Sequence, residues 1–441
     1  MLPSCANPFE DGTAAIASFL SHNPSIKYFR LQFVDLSGIL RGRFLTVEHL
    51  QDVTMKGNYA TVAGTAMHHA VNDAVSSIAP PFGLFELVPD WQSLRLCTFA
   101  PGHASVMCSL RDVYSADPFN LCPRGRLAEH LDKWQNVNRV AFLTGFEIEF
   151  LLLDASAEIS QTADSVNAWS TTAGLRGSNL KLVEDIVQAL QDSGISVQLF
   201  HTTAAPSQFQ IATGPARPLE AVDSLMQTHE CIRHLCARYG LRATMAPKPL
   251  LTKVATGAHT HISMGPPEKR DSFLAGILEH LPAISALSMP SYDSYYRAGL
   301  YQCPGAWVAW GTENRHVPIR AIKEDRWEIR SIDATANFYL ALLTILAAGV
   351  RGIEQNMALN LRDCRLNPSK LSQEEITAHG IVTPMPKSMK ECLMILKDST
   401  VFDAVLGGPM KTQYIAMKEL DEKDMSALDD RSRRDLYVKM F

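Results

Sequence analysis

The sequence contains no CxxC pair, although it has nine cysteines, an odd number scattered singly from Cys5 to Cys392. That usage argues against a disulfide framework and for reduced thiols in a cytoplasmic protein. It has no large excess of either charge. Lys and Arg total 41, Asp and Glu 46, and the formal net charge is −5, with no basic stripe and no basic amphipathic helix. Neither nucleic acid nor a membrane surface is therefore expected as a partner. No apolar run is long enough to cross a bilayer. The richest, FYLALLTILAAGV, is short and lies between Asp333 and Arg351, which reads as a buried core helix. The opening MLPSCANPFEDG carries acidic residues and no apolar stretch, so it does not read as a secretory leader. No GxxxxGK(S/T) loop and no GxGxxG strand–turn–helix occurs, so any nucleotide site is neither a P-loop nor a dinucleotide fold. Internal repeats and low-complexity tracts are absent as well. What remains is an ordinary globular composition of 441 residues, 46% hydrophobic and 20% charged. That length suits two domains, or one large domain with a smaller appendage.

Residues 11–22 read as a short helix. KYFRLQFVDLSGILRGRFLTVEHL reads as a β-hairpin, with Phe29, Leu31, Phe33 and Asp35 alternating with polar positions and Ser37-Gly38 at the turn. Short strands continue to about residue 110. The segment DVYSADPFNLCPR, rich in turn residues, marks a boundary between domains at 1–112 and 113–441. Beyond it, helices and strands alternate. RVAFLTGFEIEFLLLD reads as one long strand or a pair, PLEAVDSLMQTHECIRHLCARYG as a long helix with Pro218 near its start and Gly240 at its end. RATMAPKPL and GAHTHISM read as strands, GTENRHVPIRAIKEDRWEIRSID as a β-hairpin, and the last sixty residues as two or three short helices.

Four strands carry polar pairs at i and i+2, which point to one face. They are Glu147 and Glu149, Gln208 and Gln210, His259 and His261, and Glu328 and Arg330. Two buried carboxylates side by side need cations or donors to offset their desolvation. Glu147, His259 and Glu328 would make a suitable O/N/O ligand set for Mg²⁺ or Mn²⁺. A lone Glu-x-Glu is more commonly a solvated face, and His-x-His is often only hydrogen-bonded within a sheet; spacing does not show convergence. A basic group, Arg297, Arg315, Arg320, Lys323, Arg326 and Arg330, suits either a charged hairpin or a clamp for carboxylate and phosphate.

Seven segments, in order, carry a resemblance: FVDLSGILRGR, TGFEIEF, AAPSQFQIATGPARPLEAVD, RATMAPKP, GAHTHISM, NRHVPIR and RWEIRSIDATANFYLALLTILAAG. Together they resemble the successive motifs of the glutamine synthetase family, from about residue 25 to the end. The likeness is nearer to the carboxylate–amine ligases of bacteria and fungi than to the housekeeping enzyme. The resemblance implies an α+β fold, with a small N-terminal β-grasp domain and a large catalytic domain whose curved antiparallel sheet is flanked by helices. It implies a ring-shaped homo-oligomer with active sites between subunits. It also implies amide formation through an acyl phosphate, from ATP, a small-molecule carboxylate and an amine, with two divalent cations, Mg²⁺ or Mn²⁺. Position by position, Glu147, His259 and Glu328 match the ligands of the metal nearer the ATP phosphates, and Glu149 matches one ligand of the other metal. His261, Ser263, Arg320, Lys323 and Arg326 match positions around ATP. Arg297, Arg315 and Arg330 match residues that hold substrate carboxylates and the transferred phosphoryl group.

The departures cluster in HTTAAPSQFQ. Two glutamates that the resemblance implies for the second metal are Thr203 and Gln210, and the motif's glycine is Ser207. The loop glutamate that helps accept the amine's proton has no counterpart, with Gln302 or Cys303 near its place. The small-domain Asp for ammonium is not recognisable in AGTAMHHAVND, where Asp73 is the nearest candidate. The expectation is a net cationic site, six basic candidates against three glutamates, binding its second cation weakly or not at all. Ordinary glutamine synthesis is then disfavoured, since ammonium needs a negative pocket and a base. Tyr295, Tyr296, Tyr301 and Trp307 fit a larger amine, and equally an interface or a core. Two function classes follow: a ligase of altered substrate, or a scaffold that lost ligation. The latter would be a regulatory pseudoenzyme or a single-metal enzyme acting on an anionic substrate without ATP.

Overall fold

The computed structural model describes residues 8–80, 82–114, 121–154, 156, 169–251, 255–298, 305–323 and 325–441. The first part runs α1 (Pro8–His22), β1 (Tyr28–Val34), β2 (Leu40–Thr46), α2 (Val47–Met55), β3 (Ala60–Ala63), β4 (Leu84–Pro89), β5 (Arg95–Leu96) and β6 (His103–Asp112). Its sheet has the order β2-β1-β6-β4-β3, with β5 on β6. β1 and β6 are parallel and the other pairs antiparallel. A hairpin, a crossing helix and a central parallel pair make this the β-grasp arrangement. The hairpin ends earlier than its alternation suggests. The Thr46 hydroxyl accepts the His49 N–H at 3.3 Å, and this N-cap turns Val47–Met55 into a helix.

The second part runs α3 (Pro123–Lys133), β7 (Ala141–Leu153), α4 (Gly177–Asp192), β8 (Val197–Thr202), β9 (Gln208–Thr213), α5 (Pro218–Arg238), β10 (Arg242–Thr244), β11 (Ala258–Gly265), α6 (Arg270–Ser288) and α7 (Tyr292–Ala298). It continues through β12 (Trp310–Thr312), β13 (Ile319–Lys323), β14 (Arg326–Ile329), α8 (Phe338–Glu354), α9 (Gln373–Ala378), α10 (Met389–Asp398), α11 (Val401–Leu406), α12 (Gly408–Ser426) and α13 (Asp430–Met440). The sheet order is β12-β13-β14-β11-β7-β9-β8, with β10 on β7. All pairs are antiparallel except β12 with β13. One face packs on helices. Phe146, Ile148 and Phe150 of β7, Ile262 of β11 and Trp327 and Ile329 of β14 are buried there.

Three expectations change. Residues 311–333 are not a single hairpin: only β13 and β14 form one. The Asn314 side chain breaks the strand, accepting the His316 N–H at 2.9 Å and donating to Cys364 O at 2.7 Å and Leu366 O at 2.8 Å. Arg315 therefore sits in a turn. RATMAPKPL is a strand only over Arg242–Thr244. The carboxy-terminal region holds four helices, α10 to α13, and α12 is 19 residues long. FYLALLTILAAGV lies in α8, almost entirely buried, and no helix among the described residues is long and apolar enough to cross a membrane. α8 lies tightly on α6: a Cβ on Gly352 would stand 2.1 Å from Ser272 O.

The two sheets are tied by a buried ion network. The Arg124 guanidinium on α3 bonds Asp90 Oδ2 at 2.6 Å in the small domain and Asp223 Oδ2 at 2.7 Å on α5. Tyr339 on α8 donates to Asp223 Oδ1 at 2.6 Å. With every charge partnered, the burial of Arg124 is tolerated.

Candidate functional site

Residues directly opposite across antiparallel strands share a face. Applied to the registers of the large sheet, this rule lays the polar pairs out in rows on the face away from the core helices. The first row is His201, Gln210 and Glu149 on β8, β9 and β7. Leu199, Ala212, Glu147 and His259 form the second, on β8, β9, β7 and β11. The third is Gly145, His261, Glu328 and Arg320 on β7, β11, β14 and β13. The fourth is Leu143, Ser263 and Arg326, with Lys323 opposite Arg326 beyond a bulge.

The second and third rows hold a compact cluster. His259 Nδ1 lies 3.2 Å from Glu328 Oε1 and 3.5 Å from Glu147 Oε2, and His261 Nε2 lies 3.0 Å from Glu147 Oε1. Glu328 has no solvent exposure. It accepts from Arg320 Nη1 at 2.8 Å and from Arg330 Nη1. Burial pushes the Glu328 carboxyl up, but the charges of His259 and Arg330 outweigh it and hold it below the usual range. Burial acts the same way on Glu147, and hydrogen bonds from His259 and His261 hold that carboxyl well below the usual carboxylate range. Both acids are thus ionised. Glu147, His259 and Glu328 each offer a ligand atom, all within 4.8 Å of one another. Two carboxylate oxygens and one imidazole nitrogen suit a hard divalent cation. The residues present fit that cation.

The first row differs. Glu149 is its only carboxylate, and Glu149 Oε2 already accepts the Gly257 N–H at 2.7 Å. Gln210 is buried at 6% exposure, and its side chain has no hydrogen bond among the described residues. Thr203, just beyond β8, has a buried hydroxyl with no partner among them. Gln208 is consumed locally: Oε1 accepts the Ala205 N–H at 3.1 Å and Nε2 donates to Ala255 O at 2.8 Å. Ser207, at the motif's glycine position, has φ +55°, a left-handed conformation that side chains disfavour. One half-engaged carboxylate and neutral oxygens do not fit a second divalent cation held by protein.

The other candidates spread around this core. Arg297 on α7 is buried, with Nη2 3.5 Å from His259 Nε2 and 3.2 Å from Arg330 O. Arg326 Nη2 lies 3.1 Å from His261 Nδ1. Arg320 also pairs with Glu313. Lys323 is exposed. The Arg315 guanidinium lies 5.7 Å above the Trp169 ring rather than against the carboxylates. Glu313 is a fourth acid at a site expected to hold three. Asp73 is an exposed residue beside His69 and Arg41. Tyr295 and Trp307 pack against hydrophobic clusters, which answers the core reading for those two. Tyr296 is 47% exposed and lies beneath Arg433. Tyr301, Gln302 and Cys303 lie outside the described residues.

Three residues went unnoticed in the sequence. Gly257 precedes the His-x-His strand, and a Cβ there would lie 2.7 Å from Arg297 Nη2 and 2.8 Å from His259 Nε2. Its only signal was a glycine directly before a polar pair. Glu313 carried the signal of an acid beside a basic run. Trp169, whose ring meets His201 at 5.7 Å, carried none.

The catalytic domain of glutamine synthetase matches residues 120–437. Protein fluG of Emericella nidulans is 32% identical over 437 residues, covering 97% of this chain and 50% of that protein; the chain thus spans about half of that relative's length. The γ-glutamylpolyamine synthetase GlnA3 of Streptomyces coelicolor is 27% identical, covering 91% of this chain and 90% of that one. A solved apo structure of GmaS superposes with a TM-score of 0.80 at 24% identity, over 94% of this chain and 97% of the other, and the GmaS–ADP complex with 0.81 over 95% and 98%. Sequence motifs, sheet topology and these likenesses agree: the chain belongs to the glutamine synthetase family, a family of ATP-dependent carbon–nitrogen ligases.

Proposed function

We propose that this protein is an ATP-dependent carboxylate–amine ligase of altered substrate, cytoplasmic and assembled as a ring-shaped homo-oligomer with sites between subunits. Domains 1–112 and 113–441 would meet across that junction. The carrying observation is the contrast between rows: an intact Glu147–His259–Glu328 cluster beside a basic end, and a first row depleted of carboxylates. Glu147, His259 and Glu328 would hold Mg²⁺ or Mn²⁺, which offsets phosphate charge when bound. His261, Ser263, Arg320, Lys323 and Arg326 form the nucleotide end. Arg297 and Arg330 orient the carboxylate and the transferred group, with Arg315, which lies over Trp169, at the outer edge of the site.

In the reaction so assigned, a carboxylate oxygen takes the γ-phosphoryl group and ADP leaves. The amine nitrogen then attacks the acyl carbon, the C–O bond breaks, and inorganic phosphate departs. The nitrogen's surplus proton passes to a base, and the first row offers Glu149 and His201. Ordinary glutamine synthesis is disfavoured by the same row. A relative named as a γ-glutamylpolyamine synthetase supports an amine other than ammonia. The test is ADP release from purified protein with ATP and Mg²⁺ or Mn²⁺, dependent on both an acid and an amine from broad panels.

A second reading has one observation in its favour. Arg320 and Arg330 are already neutralised by Glu313 and Glu328, so two of the basic candidates are electrostatically satisfied without a ligand. ATP binding without turnover would support a regulatory pseudoenzyme, and turnover indifferent to ATP a repurposed single-metal enzyme.

A further inference from the structure

We infer that the position beside Glu149 takes the ammonium group of a primary monoamine with an apolar body, in place of a second divalent cation. This deepens the ligase reading by naming the class of its amine. The argument begins with charge. Mg²⁺ keeps several waters and is commonly held by one or two carboxylates together with substrate phosphates, so a position poor in carboxylates holds it only with phosphate help. The first row supplies one carboxylate, with Oε2 committed to the Gly257 N–H at 2.7 Å. Among the described residues nothing donates to Glu149 Oε1. Without phosphate, the single formal charge on that row is half that of a divalent ion and balances one ammonium.

Donor counting points the same way. An alkylammonium has three N–H donors and no acceptor. Glu149 Oε1 and the Gln210 amide oxygen are acceptors on neighbouring strands, at directly opposed positions of one face. Thr203 adds a buried hydroxyl without a partner, at a segment held to β9 by its backbone N–H on Gln208 O at 2.9 Å. Buried polar groups left without partners are costly, so unengaged groups in one small region suit a ligand that engages them.

The body of the amine is indicated by what adjoins the row. His201 lies opposite Gln210, and Leu199 follows on the same face. Trp169 meets the His201 ring edge-on at 5.7 Å and is 63% exposed, while Leu199 is 49% exposed. These groups offer apolar and aromatic surface, the Arg315 guanidinium already lies 5.7 Å from the centroid of the Trp169 ring, and no second acid stands in the first row. A polyamine would bring a second cation to a place without one, so the row favours a monoamine.

Binding tests this independently of turnover. Mn²⁺ counting by electron paramagnetic resonance, with a non-hydrolysable ATP analogue, is expected to give one tightly held ion per chain; two would overturn the inference. Calorimetry with phenethylamine is expected to show binding about 10-fold or more tighter than its N-trimethyl derivative, which lacks the N–H donors. Equal affinities, or tighter binding of spermidine, would also overturn it. Glu149→Gln is expected to weaken phenethylamine by about 10-fold or more while one Mn²⁺ stays bound. Thr203→Glu with Gln210→Glu is expected to restore a second Mn²⁺ and weaken the amine; a count that stays at one would count against the charge argument. Amine binding as described, with no ATP turnover on any acid, would sink the ligase reading and leave this one standing.

Discussion

Gly257→Ala probes how closely the metal cluster is supported. The added Cβ would lie 2.7 Å from Arg297 Nη2 and 2.8 Å from His259 Nε2, where ordinary contact begins at 3.4 Å. One or both groups must retreat by about 0.6 Å. Neither has free space. The His259 ring faces Glu328 and Glu147 through Nδ1, at 3.2 Å and 3.5 Å. Arg297 is 3% exposed, and its Nη2 donates to Arg330 O at 3.2 Å. Mg²⁺ bonds are about 2.0–2.1 Å long and tolerate little error, so a shift of that size in the imidazole ligand acts like the loss of an outer-shell contact. Such losses lower metal affinity about 10–100-fold, or about 1.4–2.7 kcal/mol. Mn²⁺ titration followed by paramagnetic resonance reads the effect, with thermal unfolding recorded on the same samples. Gly408→Ala is the control, since no atom stands within 4 Å of a Cβ there. An alanine at 257 that leaves Mn²⁺ affinity within about threefold of wild type would refute the reasoning, because the cluster would then be free to shift.

Two further outcomes concern stability. His229 on α5 is fully buried, and burial together with the Arg233 charge lowers it from 6.5 to about 3. Its contribution is complete above pH 6.5 and is lost as pH falls toward 3, which amounts to about 2–3 kcal/mol by pH 4.5. His229→Phe should therefore lose less stability than wild type between pH 7.5 and 4.5 in urea unfolding, and equal losses would show that the buried imidazole is not the cause. Ser207 sits at φ +55°, so Ser207→Gly should remove strain worth about 1 kcal/mol and raise the melting temperature by a degree or two. A fall of similar size would mean that the serine's own contacts outweigh the strain.

The period-2 alternation of β7, β11 and β14 made their polar faces readable in the sequence, because mostly apolar residues, with Thr144 and Thr260 among them, occupy the opposite face. Convergence was not readable. Glu147 meets His261 across 114 residues of chain, and local pattern carries no information about such pairing. The failures have local causes. Thr46 caps a helix where alternation suggested more strand. Asn314 folds a turn into a basic run and removes Arg315 from the strand face. The length of α12 was obscured because its apolar residues do not form a clean stripe, which helix–helix packing on several sides does not require.

The rows also explain how an amine site can change while the fold persists. Rows two and three are mutually neutralising, since each carboxylate there stands against imidazole or guanidinium groups. Removing one of those acids would leave buried cations without a counter-charge, a loss of several kcal/mol. The first row has no such coupling. A glutamate at 210 would face Glu149 directly across two strands, and the pair would be stable only with a cation between them. Glutamine at that position retains the shape of the side chain and removes the repulsion, so the row stands without metal. Selection on the amine can therefore act at Thr203 and Gln210 at little structural cost, while the same change at Glu147 or Glu328 would disrupt the charge balance that the sheet depends on.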